Sequence, residues 1–119
     1  MPIGTRLEPS NEQIIRRTLA DLQLGLKKLY GRRAPEILLF GSYARGEASD
    51  ESDIDVLLVY PGDVNASQEI RRVSALLAEL NLRYQTLVSV VPVSQENFKN
   101  NPGMFWKNVR REGISVNAI

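Results

Sequence analysis

Two short apolar segments constrain this chain more than any other feature. A Gly-Ser pair follows the first segment, and two aspartates lie at the start of the second. The first segment, residues 36–40 (EILLF), runs directly into Gly41-Ser42, and the second, residues 53–60 (DIDVLLVY), opens with Asp53 and Asp55. Short apolar runs rich in Val, Ile and Leu predict strands. The chain is therefore expected to build a hairpin-like unit of two strands, with the remaining elements packed around it.

Asp53 and Asp55 are two residues apart in the second predicted strand. Side chains at positions i and i+2 point to the same face of a strand, so the two carboxylates are held side by side. Like charges at this spacing repel each other unless a cation neutralises them. Mg²⁺ takes oxygen ligands and is commonly held by one or two carboxylates together with substrate phosphates. The pair predicts a metal shared with a phosphate ligand, whereas two solvated acids are the simpler explanation of Asp-x-Asp taken alone.

The residues after the first strand carry groups that suit a phosphate. Gly41 allows a positive φ and a close approach of the backbone to a ligand. Ser42 adds a hydroxyl and a backbone N–H at the start of a short helix, and Arg45 adds a guanidinium that could clamp a phosphate oxygen. Taken singly, Gly-Ser is an ordinary turn and Arg45 a surface charge. Their combination with the carboxylates on two adjacent strands predicts a phosphate site.

Residues 41–55, GSYARGEASDESDID, resemble the signature of minimal nucleotidyltransferases, which are small members of the DNA polymerase β-like superfamily. The residues in register with that signature are Gly41, Ser42, Arg45, Gly46, Ser52, Asp53 and Asp55. The tail KNVRREGISV is also similar to that family. The resemblance implies a small mixed β-sheet flanked by helices. It also implies that Gly41, Ser42 and Arg45 bind the nucleotide, and that Asp53 and Asp55 are catalytic residues and Mg²⁺ ligands.

The same resemblance implies a function and a partner. Many relatives are encoded beside a HEPN-domain ribonuclease toxin and serve as its antitoxin, and some transfer AMP from ATP to a toxin tyrosine. The chain is therefore expected to use ATP or another NTP with Mg²⁺, and to modify a hydroxyl of a HEPN partner.

One position departs from the family pattern. Active relatives use a third carboxylate from a later strand, but residues 86–93 contain no acid, and Ser89 is expected at that position. A hydroxyl is a poor base and a poor anionic ligand. The alternative function is therefore a binding module that neutralises its partner by protein–protein contact, with a nucleotide site that is vestigial or structural.

Composition excludes several other classes of protein. With 119 residues the chain can form one domain, residues 1–119, around one core. It has no Cys and no His, which excludes disulfides, zinc–thiolate sites and His-dependent triads. Its net charge of +1 argues against a strongly electrostatic nucleic-acid binder. No apolar run approaches the roughly 20 residues of a membrane span, and the N-terminus is too polar for a signal peptide, so the expected location is the cytoplasm.

The remaining segments predict helices around the central unit. Ser10-x-x-Gln13 is a capping box that would start a helix with the apolar stripe Ile15, Leu19, Leu22, Leu26 and Leu29. A second helix is expected from residue 65 or 67 to 81, and a third strand over residues 84–93. A last helix, about 101–111, would present Met104, Phe105 and Val109 inward, with Trp106 in the core rather than exposed as a partner anchor.

These elements together predict an α+β (α/β) fold with three main strands and with helices covering one face of the sheet. The tail, residues 114–119, is apolar enough to add a short strand or to pack on a partner. The helix stripes and this tail also leave homo-oligomer formation open.

Overall fold

The computed structural model describes residues 11–48 and 53–118. In this part of the chain the helices are α1 (Asn11–Tyr30), α2 (Ser42–Arg45), α3 (Ala66–Tyr84), α4 (Gln95–Asn100) and α5 (Met104–Glu112). The strands are β1 (Glu36–Phe40), β2 (Ile54–Tyr60), β3 (Val88–Ser94) and β4 (Ile114–Ser115). Ser10, the residue expected to cap α1, lies outside the described residues.

The strands form one mixed sheet in the order β3-β2-β1-β4. β1 is antiparallel to β2, with Phe40 opposite Asp55, and β3 is parallel to β2, with Ser89 beside Asp55. β4 pairs antiparallel with β1 and places Ile114 opposite Leu39. The predicted small mixed sheet is confirmed, and the tail adds a fourth short strand to the three that the sequence indicated most clearly.

One face of the sheet is covered by α1 and α3. Three members of the predicted α1 stripe, Leu19, Leu22 and Leu26, are buried against this face, whereas Leu29 is 45% exposed. Removing each such leucine from water stabilises the fold by roughly 1.5–3 kcal/mol. Among the described residues, twelve are buried in the apolar core on this face and four in the core on the opposite face.

The opposite face is covered by α4 and α5, so the prediction of helices on one face only is wrong. Leu57 and Val59 of β2 point to this side and pack with Val109 and Trp106 of α5. Alternate side chains of a strand point to opposite faces, and β2 is apolar at nearly every position, so both of its faces need cover. A central strand with this composition requires a second helical layer.

Within α5 the inward residues differ in part from the prediction. Val109 and Trp106 pack inward as expected, but Met104 is 71% exposed and Phe105 is 45% exposed. The helix begins at Met104 with Gly103 as its N-cap, rather than at Asn101-Pro102. The expectation that Met104 faces the core is therefore wrong. Phe105 faces it only in part, because its ring packs against Phe40 of β1 while nearly half of the residue stays exposed.

The helix before β3 is longer than the sequence indicated. Asn65 caps α3 by accepting a hydrogen bond from the backbone N–H of Gln68, and so the helix starts near the expected residue. It continues to Tyr84, however, and β3 begins only at Val88. In the described ranges, none of the helices combines the length and the apolar character needed to cross a bilayer.

Candidate functional site

The candidate site lies where β1 ends and β2 begins. Asp55 is flanked in register by Phe40 on β1 and by Ser89 on β3. Residues in register on neighbouring strands point to the same face, so these three side chains form a row across the sheet. Ile54 points into the core under α1 and α3. The carboxylate of Asp55 therefore points to the face that α4 and α5 cover.

Asp53 and Asp55 lie two residues apart where β2 begins, and the charge of Asp53 acts on the Asp55 carboxyl. Asp53 is exposed just before β2, and Asp55 is half-buried. Burial raises the pKa of the Asp55 carboxyl, the charge of Asp53 raises this pKa further, and Arg45 lowers it in part. Since burial and repulsion both disfavour the charged pair, the donor set suits a divalent cation. Within residues 11–48 and 53–118, no group of three acidic side chains comes together as a metal cluster.

Gly41 brings the backbone directly against this carboxylate. Its φ of 76° and ψ of −151° lie in a region that is almost restricted to glycine, so the positive φ predicted for this turn is observed. A Cβ added at Gly41 would lie 2.6 Å from Oδ2 of Asp55. The turn after β1 and the start of β2 are therefore in contact at the candidate site.

Ser42 and Arg45 are the first and last residues of α2, a single helical turn that follows Gly41. The Arg45 guanidinium forms ion pairs with Glu47, at 3.1 Å, and with Glu112 of α5, at 3.9 Å. Its charge also acts on Asp55, whose pKa it lowers. The structure thus places Arg45 beside the candidate site and links it to α5. Ser52 lies outside the described residues.

A small pocket opens beside Gly41 on this face. It has a volume of about 280 Å³ and is lined by Phe40, Gly41, Arg45, Phe105, Asn108, Val109 and Glu112. The rings of Phe40 and Phe105 meet edge to face, with centroids 5.6 Å apart. Sequence reasoning missed the contributions of Phe40 and α5, because no local pattern links α5 to the Gly41 turn.

The fold brings together some of the site residues that the sequence predicts. Gly41 contacts Asp55, Asp53 is two residues from Asp55 on the same strand end, and Arg45 lies close enough to affect the Asp55 carboxyl. Their roles in binding a nucleotide and a metal remain predictions.

Comparisons with known proteins agree on one family. A family model described as a nucleotidyltransferase domain matches residues 19–112. A Methanocaldococcus jannaschii protein provisionally named a protein adenylyltransferase is 42% identical over 89 residues, which cover 74% of this chain and 83% of that protein. The matched family region includes the Gly41 turn and both aspartates of the site.

Two solved structures share the fold at low sequence identity. A chain of a toxin–antitoxin crystal structure with AMP-PNP has a TM-score of 0.56 at 18% identity, and covers 85% of this chain and 71% of that chain. A chain of the complex between a tri-AMPylated Shewanella oneidensis HEPN toxin and an MNT antitoxin has a TM-score of 0.53 at 17% identity. That match covers 87% of this chain and 70% of the other. At these identities the likeness shows the fold alone.

Proposed function

This chain belongs to the nucleotidyltransferase domain family, and we propose that it transfers AMP from ATP to a hydroxyl of a HEPN-domain toxin, as that toxin's antitoxin, in a Mg²⁺-dependent reaction. The observation that carries the proposal is the contact between Gly41 and Asp55, where an added Cβ would lie 2.6 Å from the carboxylate oxygen. A phosphate bound at this turn would lie beside a cation held by the carboxylates.

The residues present fit Mg²⁺. Asp53 and Asp55 offer oxygen ligands whose mutual repulsion a divalent cation would relieve, and burial and Asp53 both raise the pKa of Asp55. Mg²⁺, when bound, would neutralise charge on the phosphates and stabilise the charge that develops as the leaving group departs. Gly41 and Ser42 would bind the triphosphate through the turn, and Arg45 would add positive charge nearby.

In the proposed reaction the acceptor hydroxyl attacks the α-phosphorus of ATP in line with the bond to the β-phosphate. A new oxygen–phosphorus bond forms, the bond between the α-phosphorus and the bridging oxygen breaks, and pyrophosphate leaves. The hydroxyl proton is released to water, because the residue beside Asp55 on β3 is Ser89, a weak base. This chain therefore contributes mainly positioning and charge.

The nucleotide and the partner are the parts of the proposal that rest on relatives. The M. jannaschii relative supports an adenylyl group, since its provisional name is protein adenylyltransferase. The S. oneidensis complex, with its AMPylated HEPN toxin, supports a HEPN protein as acceptor. ATP is available in the cytoplasm, which is where we place the reaction.

Ser89 supports a second candidate function. Because a hydroxyl occupies the position beside Asp55, the chain could neutralise a HEPN toxin by protein–protein contact without transferring a nucleotide. Under this function, neutralisation survives Asp53→Asn and Asp55→Asn. If either variant still binds the toxin but no longer protects against it, the second function is excluded.

The first experiment is calorimetric titration of ATP into the full chain, with Mg²⁺ and with EDTA. Wild type is compared with Asp53→Asn and with Asp63→Asn, which changes an exposed acid beyond the opposite end of β2. We expect metal-dependent binding by wild type and by Asp63→Asn, and its loss in Asp53→Asn. Labelled ATP then tests transfer to a HEPN protein encoded beside this chain. Equal Mg²⁺–ATP affinity in wild type and Asp53→Asn would show that the site is misassigned.

A further inference from the structure

We propose that the pocket between Gly41 and α5 binds the base ring of the nucleotide, with Phe105 as its stacking surface. This inference rests on the proposed function, because it takes the phosphates to lie at Gly41 and the aspartates. It adds where the base is held and which residues select it.

The pocket is next to the reacting groups and on the same face of the sheet. Gly41 contributes to its wall and also touches the carboxylate of Asp55. Phe40, another wall residue, lies directly opposite Asp55 in the antiparallel register. A nucleotide with its phosphates at the Gly41 turn therefore has this pocket immediately beside it.

Phe105 is a supported but open aromatic surface. Its ring packs edge to face against Phe40, at 5.6 Å, and against Trp106, at 5.0 Å, yet the residue is 45% exposed. These contacts restrain the ring from two sides and leave part of its surface available. A restrained, exposed aromatic ring of this kind is suited to stacking on a nucleobase.

The rim of the pocket offers hydrogen-bonding groups for the edge of a base. Arg111 donates to Oδ1 of Asn108 and to Oε1 of Glu112, each at 3.2 Å. The Asn108 oxygen is thus engaged, and its amide nitrogen can donate to a ring nitrogen. The Glu112 carboxylate, which also pairs with Arg45 at 3.9 Å, can accept from an exocyclic amine, as on adenine. The rim therefore offers both a donor and an acceptor to the edge of a base, an arrangement that adenine can meet with a ring nitrogen and the amine beside it.

Size and orientation favour this pocket over a larger one on the other side. At about 280 Å³ it is near the lower end for ligand sites and suits one ring system. A pocket of about 490 Å³ is lined in part by Ile15, Leu39 and Tyr43. Leu39, however, points to the face under α1, away from the Asp55 carboxylate. Of these two pockets, only the smaller one lies on the same face of the sheet as the Asp55 carboxylate.

The test compares ATP with inorganic tripolyphosphate, which has the phosphates but no base, each titrated with Mg²⁺ into the full chain. The variants are Phe105→Ala and, as a matched control, Met104→Ala, since Met104 is the neighbouring apolar residue and is 71% exposed. We expect Phe105→Ala to weaken ATP binding about tenfold or more and to leave tripolyphosphate binding unchanged. Met104→Ala should alter neither affinity, and Phe105→Tyr should keep the ATP affinity. Unchanged tripolyphosphate binding also shows that each variant is folded.

Two further readouts make the assignment specific. Trp106 is the chain's single tryptophan and contacts Phe105, so ATP should change its fluorescence whereas tripolyphosphate should not. Asn108→Ala should weaken ATP binding in the same selective way, which keeps the test available if Phe105→Ala does not fold.

The outcomes separate this inference from the function on which it rests. If wild type binds both ligands and Phe105→Ala does not weaken ATP selectively, the base lies elsewhere and the proposed function stands. If Phe105→Ala slows transfer to the partner but leaves ATP affinity unchanged, the pocket holds the acceptor and the inference is overturned. If wild type binds neither ligand, both the function and this inference fail.

Discussion

Replacing Gly41 with alanine tests the contact on which the candidate site depends. At φ 76° and ψ −151°, a residue with a Cβ is strained by about 1–3 kcal/mol. The new Cβ would also lie 2.6 Å from Oδ2 of Asp55, whereas the Asp55 Cβ and Cγ remain at 3.4 Å. The carboxylate must therefore turn away from its preferred rotamer, which costs about 0.5–1.5 kcal/mol. We expect Gly41→Ala to lower the free energy of unfolding by about 1.5–4.5 kcal/mol in total.

The assay is urea unfolding in EDTA, followed by circular dichroism, together with calorimetric titration of Mg²⁺–ATP. Gly31→Ala is the matched control, because Gly31 also has a positive φ, 62°, but an added Cβ there meets nothing within 4 Å. We expect it to lose only about 1–2 kcal/mol and to keep its Mg²⁺–ATP affinity. Gly41→Ala should weaken that affinity at least about tenfold, since the displaced carboxylate is the proposed Mg²⁺ ligand.

A double-mutant cycle separates backbone strain from the contact with the carboxylate. In an Asp55→Ala background the displaced oxygens are gone, so Gly41→Ala should cost about 0.5–1.5 kcal/mol less than it does in wild type. The reasoning is refuted if the cost is the same in both backgrounds and the single variant Gly41→Ala binds Mg²⁺–ATP as tightly as wild type.

Three further changes test the electrostatics of the fold and of the site. Ser89→Asp places a third carboxylate beside Asp55. It should raise the rate of Mg²⁺-dependent AMP transfer at least about tenfold in a labelled-ATP assay. An unchanged rate would show that the lack of a base at this position does not limit the reaction. Asp55→Asn should raise the melting temperature in EDTA at pH 7, because burial and Asp53 raise the pKa of Asp55 above its unfolded value. The stability that Asp55 contributes is therefore present in acid and is lost as pH rises through the folded pKa. The rise in melting temperature of Asp55→Asn should accordingly vanish in acid. A melting temperature below that of wild type at pH 7 would contradict this explanation. Tyr84→Phe removes the hydroxyl that donates to Asp21 and, with Arg83, lowers the pKa of that carboxyl, so it should cost about 1 kcal/mol in urea unfolding at pH 7. This cost should shrink as pH falls through the depressed pKa of Asp21, and a cost independent of pH would exclude the carboxylate as its source.

Local patterns in the sequence were sufficient for most elements of the fold. Asn65 stands at one of the two expected starts of the second helix, and it caps α3 by accepting a hydrogen bond from the backbone N–H of Gln68. The α1 stripe is buried at Leu19, Leu22 and Leu26 because a spacing of three and four residues keeps these side chains on one helix face. These predictions succeeded because each depends on residues a few positions apart.

The errors occurred where a boundary or a helix face depends on distant residues. The sequence predicts a strand from Tyr84, whereas α3 extends to this residue and its hydroxyl donates to Asp21 of α1. The apolar character of Met104 predicts a core position, whereas α5 packs on β2 through Trp106 and Val109 and leaves Met104 71% exposed. Hydrophobicity alone does not determine which side of a short helix meets the sheet.

The sequence by itself determined the local geometry of the candidate site. The placement of Asp53 and Asp55 two residues apart at the start of an apolar strand, and of a glycine able to adopt positive φ at the preceding turn, can be read from local sequence alone, although β2 itself begins only at Ile54. Only the tertiary structure decided what surrounds them: Ser89 and Phe40 on either side of Asp55, Glu112 paired with Arg45, and Phe105 beside the Gly41 turn. The physical reason is that strand register and helix placement follow from burying both apolar faces of β2 at once, and this depends on segments far apart in the chain.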